Sequence, residues 1–158
     1  GAGFPSIPLA ILNPDKKFTL VDSVNKKISF INYIIEILDL QNVTAIHSRV
    51  EDFARDNFQS FDACVARALA SMPTLAEYTL PLIKKEGILL AYKGMNYNEE
   101  LKQCSKILDI LNGKLQDVKQ YDLTEEEKRY VLIIKKIGDC PKKYPRIGNK
   151  PRLQPILG

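Results

Sequence analysis

Two kinds of stretch alternate along this chain: short runs that are apolar at nearly every position, and longer segments whose apolar residues recur at helical spacing. An apolar run fits a strand that is covered on both faces of a parallel sheet. Apolar residues three and four positions apart form one face of an amphipathic helix that packs on such a sheet. The pattern predicts strands at 18–21, 43–46, 63–66 and 88–92, with helices at 7–12, 25–40, 73–84 and 99–111.

The last part of the pattern is different. Two further apolar-rich runs, 115–121 and 130–137, are joined by a charged turn over 124–128, which predicts an antiparallel hairpin at the edge of the sheet. Strands that alternate with helices and end in a hairpin predict an α/β fold of the doubly wound type, with parallel strands and one antiparallel edge strand. With 158 residues, 45% of them hydrophobic, one globular domain with its own core is expected.

Composition narrows the class of protein. The formal net charge of +4 is only mildly basic. The three cysteines (Cys64, Cys104, Cys140) are widely spaced and include no C-x-x-C pair, which argues against a disulfide framework or a zinc site and suits a reducing compartment. No signal peptide is visible, and no apolar run approaches the roughly 18 residues that span a membrane, so a soluble cytoplasmic protein is expected. No extra apolar helix face is evident, which predicts a monomer.

A glycine-rich stretch at the start of the chain carries the first candidate chemistry. Gly1 and Gly3 flank Ala2 just before the predicted helix at 7–12. Glycines let a backbone approach a ligand closely, and a helix N-terminus favours electronegative ligand atoms. Asp22 ends a strand about twenty residues later, the spacing at which an acid meets ribose hydroxyls in nucleotide sites. The alternatives are an ordinary glycine turn and an aspartate that caps the next helix.

Other charged residues follow the predicted strands, at the sheet edge where ligands of open α/β sheets bind. Glu51 follows the strand at 43–46, although a first-turn carboxylate stabilised by the helix dipole is an equal alternative. Arg67 follows 63–66, where an unpaired guanidinium would be costly if buried, so we expect a function and a carboxylate partner for it. Lys93 and Gly94 follow 88–92.

Several reaction classes are disfavoured by what the sequence lacks. His47 is the only histidine, and no Gly-x-Ser-x-Gly elbow is available to form a catalytic triad with it. No Gly-x-x-x-x-Gly-Lys-Ser/Thr loop is present, which argues against a nucleoside triphosphatase. The reaction is therefore expected to need little general acid–base help.

These stretches, taken in order, resemble the bacterial RsmG (GidB) family, whose members use S-adenosylmethionine to methylate a guanine N7 in 16S, small-subunit ribosomal RNA. The resemblance covers essentially the whole chain and rests on 1–10, 20–23, 48–52, 61–62 with 67–68, 93–94, and 143–146 with Pro151 and Pro155. It implies a Rossmann-like class I methyltransferase sheet. Ser6 departs from the family at a position where glycine is common. The family's upstream helices, first strand and leading Asp-x-Gly are also absent, so we expect the natural protein to extend upstream of Gly1. The strands that begin at Phe18 and Ala63 would then lack the neighbour between them.

The resemblance also implies roles for individual residues. Asp22 would meet the ribose, Val50 and Glu51 would flank the adenine, and Arg67 would lie beside the cofactor near the substrate as the catalytic candidate. The remaining cofactor contacts would come from the first loop, through Gly1, Gly3 and Phe4. Guanine N7 has a lone pair and no proton, so its methylation needs no general base, which agrees with the lack of a credible histidine base.

The resemblance implies a methyltransferase domain over 1–138, and a basic, proline-rich tail over 139–158 follows it. Lysine and arginine meet phosphates, and tyrosine can stack on a base. The predicted RNA contacts are Lys93, Lys142, Lys143, Tyr144, Arg146, Lys150 and Arg152. A solvated, disordered end is the alternative. Ribosomal RNA or a small-subunit particle would be the substrate, with no metal. A non-catalytic RNA-binding fragment and an NAD-linked oxidoreductase are the competing functions, the latter lacking a Tyr-x-x-x-Lys set.

Overall fold

The computed structural model describes residues 2–122, 124 and 127–158. Gly1, one of the predicted cofactor contacts, lies outside the described residues. The chain divides into two compact units, Gly1–Phe53 and Ala54–Gly158.

The first unit is built on two parallel strands, β1 (Phe18–Asp22) and β2 (Val43–His47), in a register that sets Phe18 opposite Val43 and Asp22 opposite His47. Its helices are α1 (Ser6–Leu12), α2 (Asn25–Ile37) and the start of α3 (Val50–Asp56). The small core draws on both strands and both complete helices: Ile7, Ala10, Leu20, Ile28, Ile31 and Val43. The Asn42 side-chain amide donates to the carbonyls of Ala10, Asn13 and Lys16 at 3.0, 3.1 and 3.0 Å. This one amide therefore fixes the turn between α1 and β1.

The second unit contains a four-stranded sheet in the order β3-β4-β6-β5. Its elements are β3 (Phe61–Arg67), α4 (Met72–Thr79), a 3₁₀ turn (Leu80–Leu82), β4 (Ile83–Lys93), α5 (Tyr97–Lys102), α6 (Ser105–Ile110), β5 (Gly113–Asp122), β6 (Lys128–Lys136) and α7 (Lys150–Leu153). Strands β3 and β4 are parallel, whereas β6 is antiparallel to both β4 and β5.

The predicted α/β class and the terminal hairpin are confirmed, with differences of detail. The antiparallel strand β6 lies between β4 and β5, so β5 forms the edge. The helix expected at 73–84 ends at Thr79, because Pro81 has no N–H with which to continue it. Among the described residues β1 pairs only with β2, and β3 only with β4.

The tail is part of the core of the second unit. Cys140 and Tyr144 are buried together with Met72, Leu80 and Leu111. The Thr74 hydroxyl donates to the Pro151 carbonyl at 2.9 Å. The alternative of a solvated, disordered end therefore does not describe this segment.

Lys136 is a fully buried lysine at the end of β6. Its ammonium donates to the carbonyls of Leu80 and Ile83 at 2.9 and 3.0 Å, and to the Gln59 side-chain oxygen at 3.4 Å. The same Gln59 oxygen accepts the Cys140 backbone N–H at 3.1 Å. The lysine thus adds hydrogen bonds to the Leu80 carbonyl of the 3₁₀ turn, which also accepts the Ile83 N–H, and to the carbonyl of Ile83, the first residue of β4.

Burial raises the pKa of the Cys64 and Cys104 thiols to about 12. Unfolded thiols ionise near pH 8.5, so above this pH the unfolded state loses protons that the native state keeps. We therefore expect the free energy of unfolding to fall as the pH rises from about 8.5 towards 12. Urea unfolding at about one pH unit below and one above the ordinary thiol pKa measures the fall. The fall in the free energy of unfolding should be smaller in Cys104→Ala. An equal fall in that variant would contradict its assignment to the buried thiols.

No helix in the described part of the chain is long and apolar enough to cross a membrane. Across residues 2–122, 124 and 127–158, no group of three or more His, Cys, Asp or Glu side chains is arranged to hold a metal ion.

Candidate active site

A cavity of about 750 Å³ lies in the second unit at the carboxyl ends of β3 and β4. This is the edge at which open α/β sheets bind ligands, and the volume falls within the usual range of about 300–1,000 Å³ for small-molecule sites. Its lining includes three cations, two aromatic rings and one carboxylate: Arg67, Lys93, Arg129, Tyr92, Tyr121 and Glu100. Such a lining suits a ligand that carries both negative charge and a flat ring.

Arg67 stands at the end of β3, opposite Tyr92 of β4. We expected a carboxylate partner for Arg67 on the assumption that its guanidinium is buried. No such partner is found among the described residues. Arg67 is exposed, so its charge stays hydrated and needs no internal partner. The guanidinium is thus available to a ligand in the cavity.

The loop after Arg67 forms one wall of the cavity and is tied down by Lys93. The Lys93 ammonium donates to the Ala70 carbonyl at 2.8 Å and to Glu100 Oε2 at 2.6 Å. The Lys93 side chain is only 8% exposed. Lys93, predicted to contact RNA, is therefore engaged within the protein.

The opposite wall comes from the β5–β6 hairpin, where Tyr121 pairs with Arg129. The Tyr92 and Tyr121 rings meet edge to face, with centroids 6.3 Å apart and an interplanar angle of 73°. Arg129 forms an ion pair with Glu127. Sequence reasoning missed Tyr92, Tyr121 and Arg129 as lining residues. It predicted a hairpin at the edge of the sheet, but not the pairing of β6 with β4 that brings the end of the hairpin to the cavity.

The first unit holds the remaining predicted cofactor residues. Gly3 has φ +84°, and a Cβ atom there would lie 2.6 Å from Ile7 Cγ1. Its carbonyl accepts the Ile7 N–H at 2.7 Å, so the loop turns directly into α1. Phe4 is 62% exposed beside it. This close, glycine-dependent turn fits a loop that carries a ligand against its backbone.

Asp22 and the residues after β2 lie at the carboxyl ends of neighbouring strands. Asp22 Oδ1 accepts the Val24 N–H at 2.9 Å, and Lys27 Nζ lies 3.5 Å from Oδ2. Asp22 therefore shapes the turn into α2, and its carboxylate lies at the carboxyl end of β1. Glu51 is 3% exposed and accepts a hydrogen bond from Arg49 Nε at 2.6 Å, while Val50 beside it is half-buried.

The predicted RNA contacts of the tail fall into two groups. Lys142, Lys143, Lys150 and Arg152 are exposed. Tyr144 is buried in the core, and Arg146 forms a two-pronged ion pair with the buried carboxylate of Glu77. Only the first group is directly available to a phosphate backbone.

Comparison with known proteins identifies the family of this chain. Residues 1–131 match the GidB family model, described as rRNA small subunit methyltransferase G. The chain belongs to the GidB family. Members named ribosomal RNA small subunit methyltransferase G are 43% identical in Lactococcus lactis and 47% identical in Lactobacillus acidophilus, each over 99% of this chain. The chain spans 66% of the length of these two family members.

Solved structures of other proteins share the fold. TYW2 of M. jannaschii, crystallised in complex with AdoMet, matches with a TM-score of 0.68 at 16% identity, over 87% of this chain and 66% of its own. A putative rRNA-methylase from Clostridium thermocellum matches with a TM-score of 0.62 at 17% identity, over 88% and 83% of the two chains. These likenesses show that this GidB member has a Rossmann-like α/β fold.

Proposed function

We propose that this chain is the methyl-transferring part of an S-adenosylmethionine-dependent enzyme that methylates guanine N7 in 16S ribosomal RNA. The observation that carries the proposal is the cavity lined by Arg67, Tyr92, Tyr121 and Arg129 at the carboxyl ends of β3 and β4, in a member of the GidB family. A ribosomal RNA substrate would place the enzyme in the cytoplasm.

The first unit is proposed to hold the cofactor. Gly3 and Phe4 would lie against it in the first loop, Asp22 would accept hydrogen bonds from the ribose, and Val50 with Glu51 would flank the adenine. The turn at Gly3, which has no room for a side chain, supports this assignment. When bound, S-adenosylmethionine supplies a methyl group attached to a positively charged sulfur.

The residues of the cavity are proposed to orient the guanine. Arg67, the catalytic candidate, and Arg129 would donate hydrogen bonds to guanine oxygen or to phosphate, and Tyr121 would contact the base. Guanine N7 carries an unprotonated lone pair, so no side chain has to remove a proton. Alignment and proximity of the two reactants can then supply much of the rate enhancement, because they lower the activation barrier by up to roughly 7–11 kcal/mol in well-oriented reactions. A site without a histidine base is sufficient for this reaction.

Binding of the RNA backbone is assigned to the exposed cations of the tail, Lys142, Lys143, Lys150 and Arg152. Each phosphate that such a side chain neutralises releases a counterion, which makes the affinity fall with salt concentration. Lys93, Tyr144 and Arg146 are engaged inside the protein, and we assign them supporting roles.

A non-catalytic RNA-binding fragment is the second candidate. It is favoured by the one-sided pairing of β1 and β3 among the described residues. A cofactor-binding measurement separates the two functions.

Titration calorimetry of this chain with S-adenosylhomocysteine, the product form of the cofactor, tests the proposal. We expect micromolar binding, and about tenfold weaker binding in Asp22→Asn because a charge-assisted hydrogen bond contributes about 1.5–3 kcal/mol. Asp15→Asn is the matched control, since Asp15 is an exposed aspartate of the same unit that pairs only with Lys16 in the described structure.

If this chain does not bind, the titration is repeated with the upstream segment of a GidB relative joined to it. Binding that appears only then would support a catalytic protein of which this chain is a part. Continued absence of binding would overturn the cofactor assignment and leave the RNA-binding fragment.

A further inference from the structure

Glu100 on α5 is the junction of a hydrogen-bonded clamp beside the cavity. Its Oε2 atom accepts the Met72 backbone N–H at 2.6 Å and a hydrogen bond from the Lys93 ammonium at 2.6 Å. Lys93 in turn donates to the Ala70 carbonyl at 2.8 Å. One carboxylate oxygen therefore connects three places: the first residue of α4, the last residue of β4 and the loop between β3 and α4.

The loop that the clamp holds is the one that follows Arg67. Ala68 has φ +51°, a left-handed conformation that non-glycine residues rarely adopt. Such a conformation persists only where the surrounding structure imposes it. The clamp supplies that constraint from the far end of the loop, because it fixes Ala70 and Met72.

The clamp differs from an ordinary surface ion pair. Exposed pairs contribute little, since water screens them and two long side chains must be ordered. Here the Lys93 side chain is 8% exposed, and Glu100 is 30% exposed. The Met72 N–H, at the first turn of α4, has no partner within its own helix and takes the carboxylate instead. A charge so placed at a helix N-terminus is also favoured by the helix dipole.

We propose that Glu100 is a positioning residue of the site: through Lys93 and Met72 it sets the loop over 68–71 and thereby the direction in which Arg67 enters the cavity. The proposal rests on the proposed function, in which Arg67 acts on the guanine nucleotide. It assigns Lys93 a role through the loop rather than through contact with RNA. It also explains why the Lys93 ammonium, at the end of β4 beside the cavity, contacts Glu100 and Ala70 within the protein.

The first measurement needs no ligand. Alanine methyl resonances in carbon–proton NMR spectra report the surroundings of Ala68 and Ala70, and amide hydrogen exchange reports the Met72 N–H. In Glu100→Gln we expect both methyl resonances to move and Met72 to exchange at least tenfold faster. The control is Glu99→Gln, which removes the neighbouring carboxylate, one that is exposed and pairs with Lys102 at 3.6 Å. It should leave all three signals unchanged.

The second measurement uses guanosine 5′-monophosphate as a probe of the cavity, followed by the same resonances. We expect Glu100→Gln to bind it about tenfold more weakly and Glu99→Gln to bind it within twofold of the unchanged chain. Lys93→Met should have the effect of Glu100→Gln, and the double variant should be no weaker than either single one, because residues of one network are not additive. Circular dichroism melting confirms that each variant is folded.

Two results would overturn the proposal. One is a Glu100→Gln variant whose methyl resonances and Met72 exchange match those of the unchanged chain. The other is a variant that shows the loop change yet binds the nucleotide with undiminished affinity. A different result bears on the proposed function: if the unchanged chain binds no guanosine monophosphate while the loop signals respond to Glu100→Gln, the clamp is supported and the guanine site is not.

Discussion

Replacing Arg146 by alanine lowers the free energy of unfolding by about 3–5 kcal/mol, the usual cost of removing one partner of a buried ion pair. The other partner is Glu77, whose side chain is 1% exposed. Arg146 Nε donates to Glu77 Oε1 at 2.9 Å and its terminal nitrogen to Oε2 at 2.7 Å, and the Arg146 backbone N–H also donates to Oε1 at 2.9 Å. Without the guanidinium, the carboxylate would stay buried with one backbone donor.

The hydrogen bond to Glu77 also raises the pKa of Arg146 above its ordinary value. Chemical unfolding of the variant and the unchanged chain at neutral pH measures the loss. Arg152→Ala is the matched control: it removes an exposed arginine from the same segment and should change stability by no more than about 0.5 kcal/mol. Arg146→Lys keeps the positive charge but lacks the planar guanidinium that donates to both Glu77 oxygens. Its loss of stability should lie between those of the two alanine variants. Equal losses of stability in Arg146→Ala and Arg152→Ala would show that the ion pair between Arg146 and Glu77 contributes nothing to folding.

Gly87→Ala is the second change for which we expect a large effect. It should lower the free energy of unfolding by about 2–3 kcal/mol, as substitutions that overpack a core do. A Cβ at this position of β4 would lie 2.5 Å from the Asp62 carbonyl oxygen of the adjacent strand and 2.5 Å from Ile83 Cγ2. The carbonyl is backbone, so a whole strand would have to move. The irregular pairing of β3 and β4 lies here, between Phe61 and Ala63.

Gly94, just after the same strand, offers the comparison. A Cβ at Gly94 would meet nothing within 4 Å. Gly94→Ala should therefore be neutral or slightly stabilising, since alanine restricts the unfolded chain more than glycine does. Thermal unfolding of both variants tests the difference. A Gly87→Ala variant as stable as Gly94→Ala would mean that the two strands are less closely fixed than the structure describes.

The strands could be predicted because their pattern is local. The apolar runs at 18–21 and 43–46 are found as β1 and β2 with one residue added to each. Helix ends were harder to predict, since the proline that stops α4 was compatible with several end points. The position of β6 between β4 and β5 could not be predicted, because spatial order depends on long-range pairing rather than on spacing along the chain.

For the site, the sequence could indicate which residues end each strand but not what each one contacts. Arg67 and Lys93 were both identified, and both line the cavity. The geometry then separates them, because Arg67 is exposed while Lys93 is enclosed by Glu100 and Ala70. Glu100 carries no signal of its own: it is one of two adjacent glutamates, and only the packing of α5 distinguishes it from Glu99. Similarly, the charge of Arg146 suggested phosphate binding, since its partner Glu77 lies 69 residues away along the chain.

Because Lys136 is fully buried, its chemical modification can report the opening of the second unit. Reagents that modify amines reach exposed lysines such as Lys142 and Lys143 directly, whereas the fully buried Lys136 ammonium is held by the carbonyls of Leu80 and Ile83. Its acylation must wait for β6 to separate from the 3₁₀ turn. The rate at which this one lysine gains a label would therefore count opening events of the second unit, without any engineered reporter.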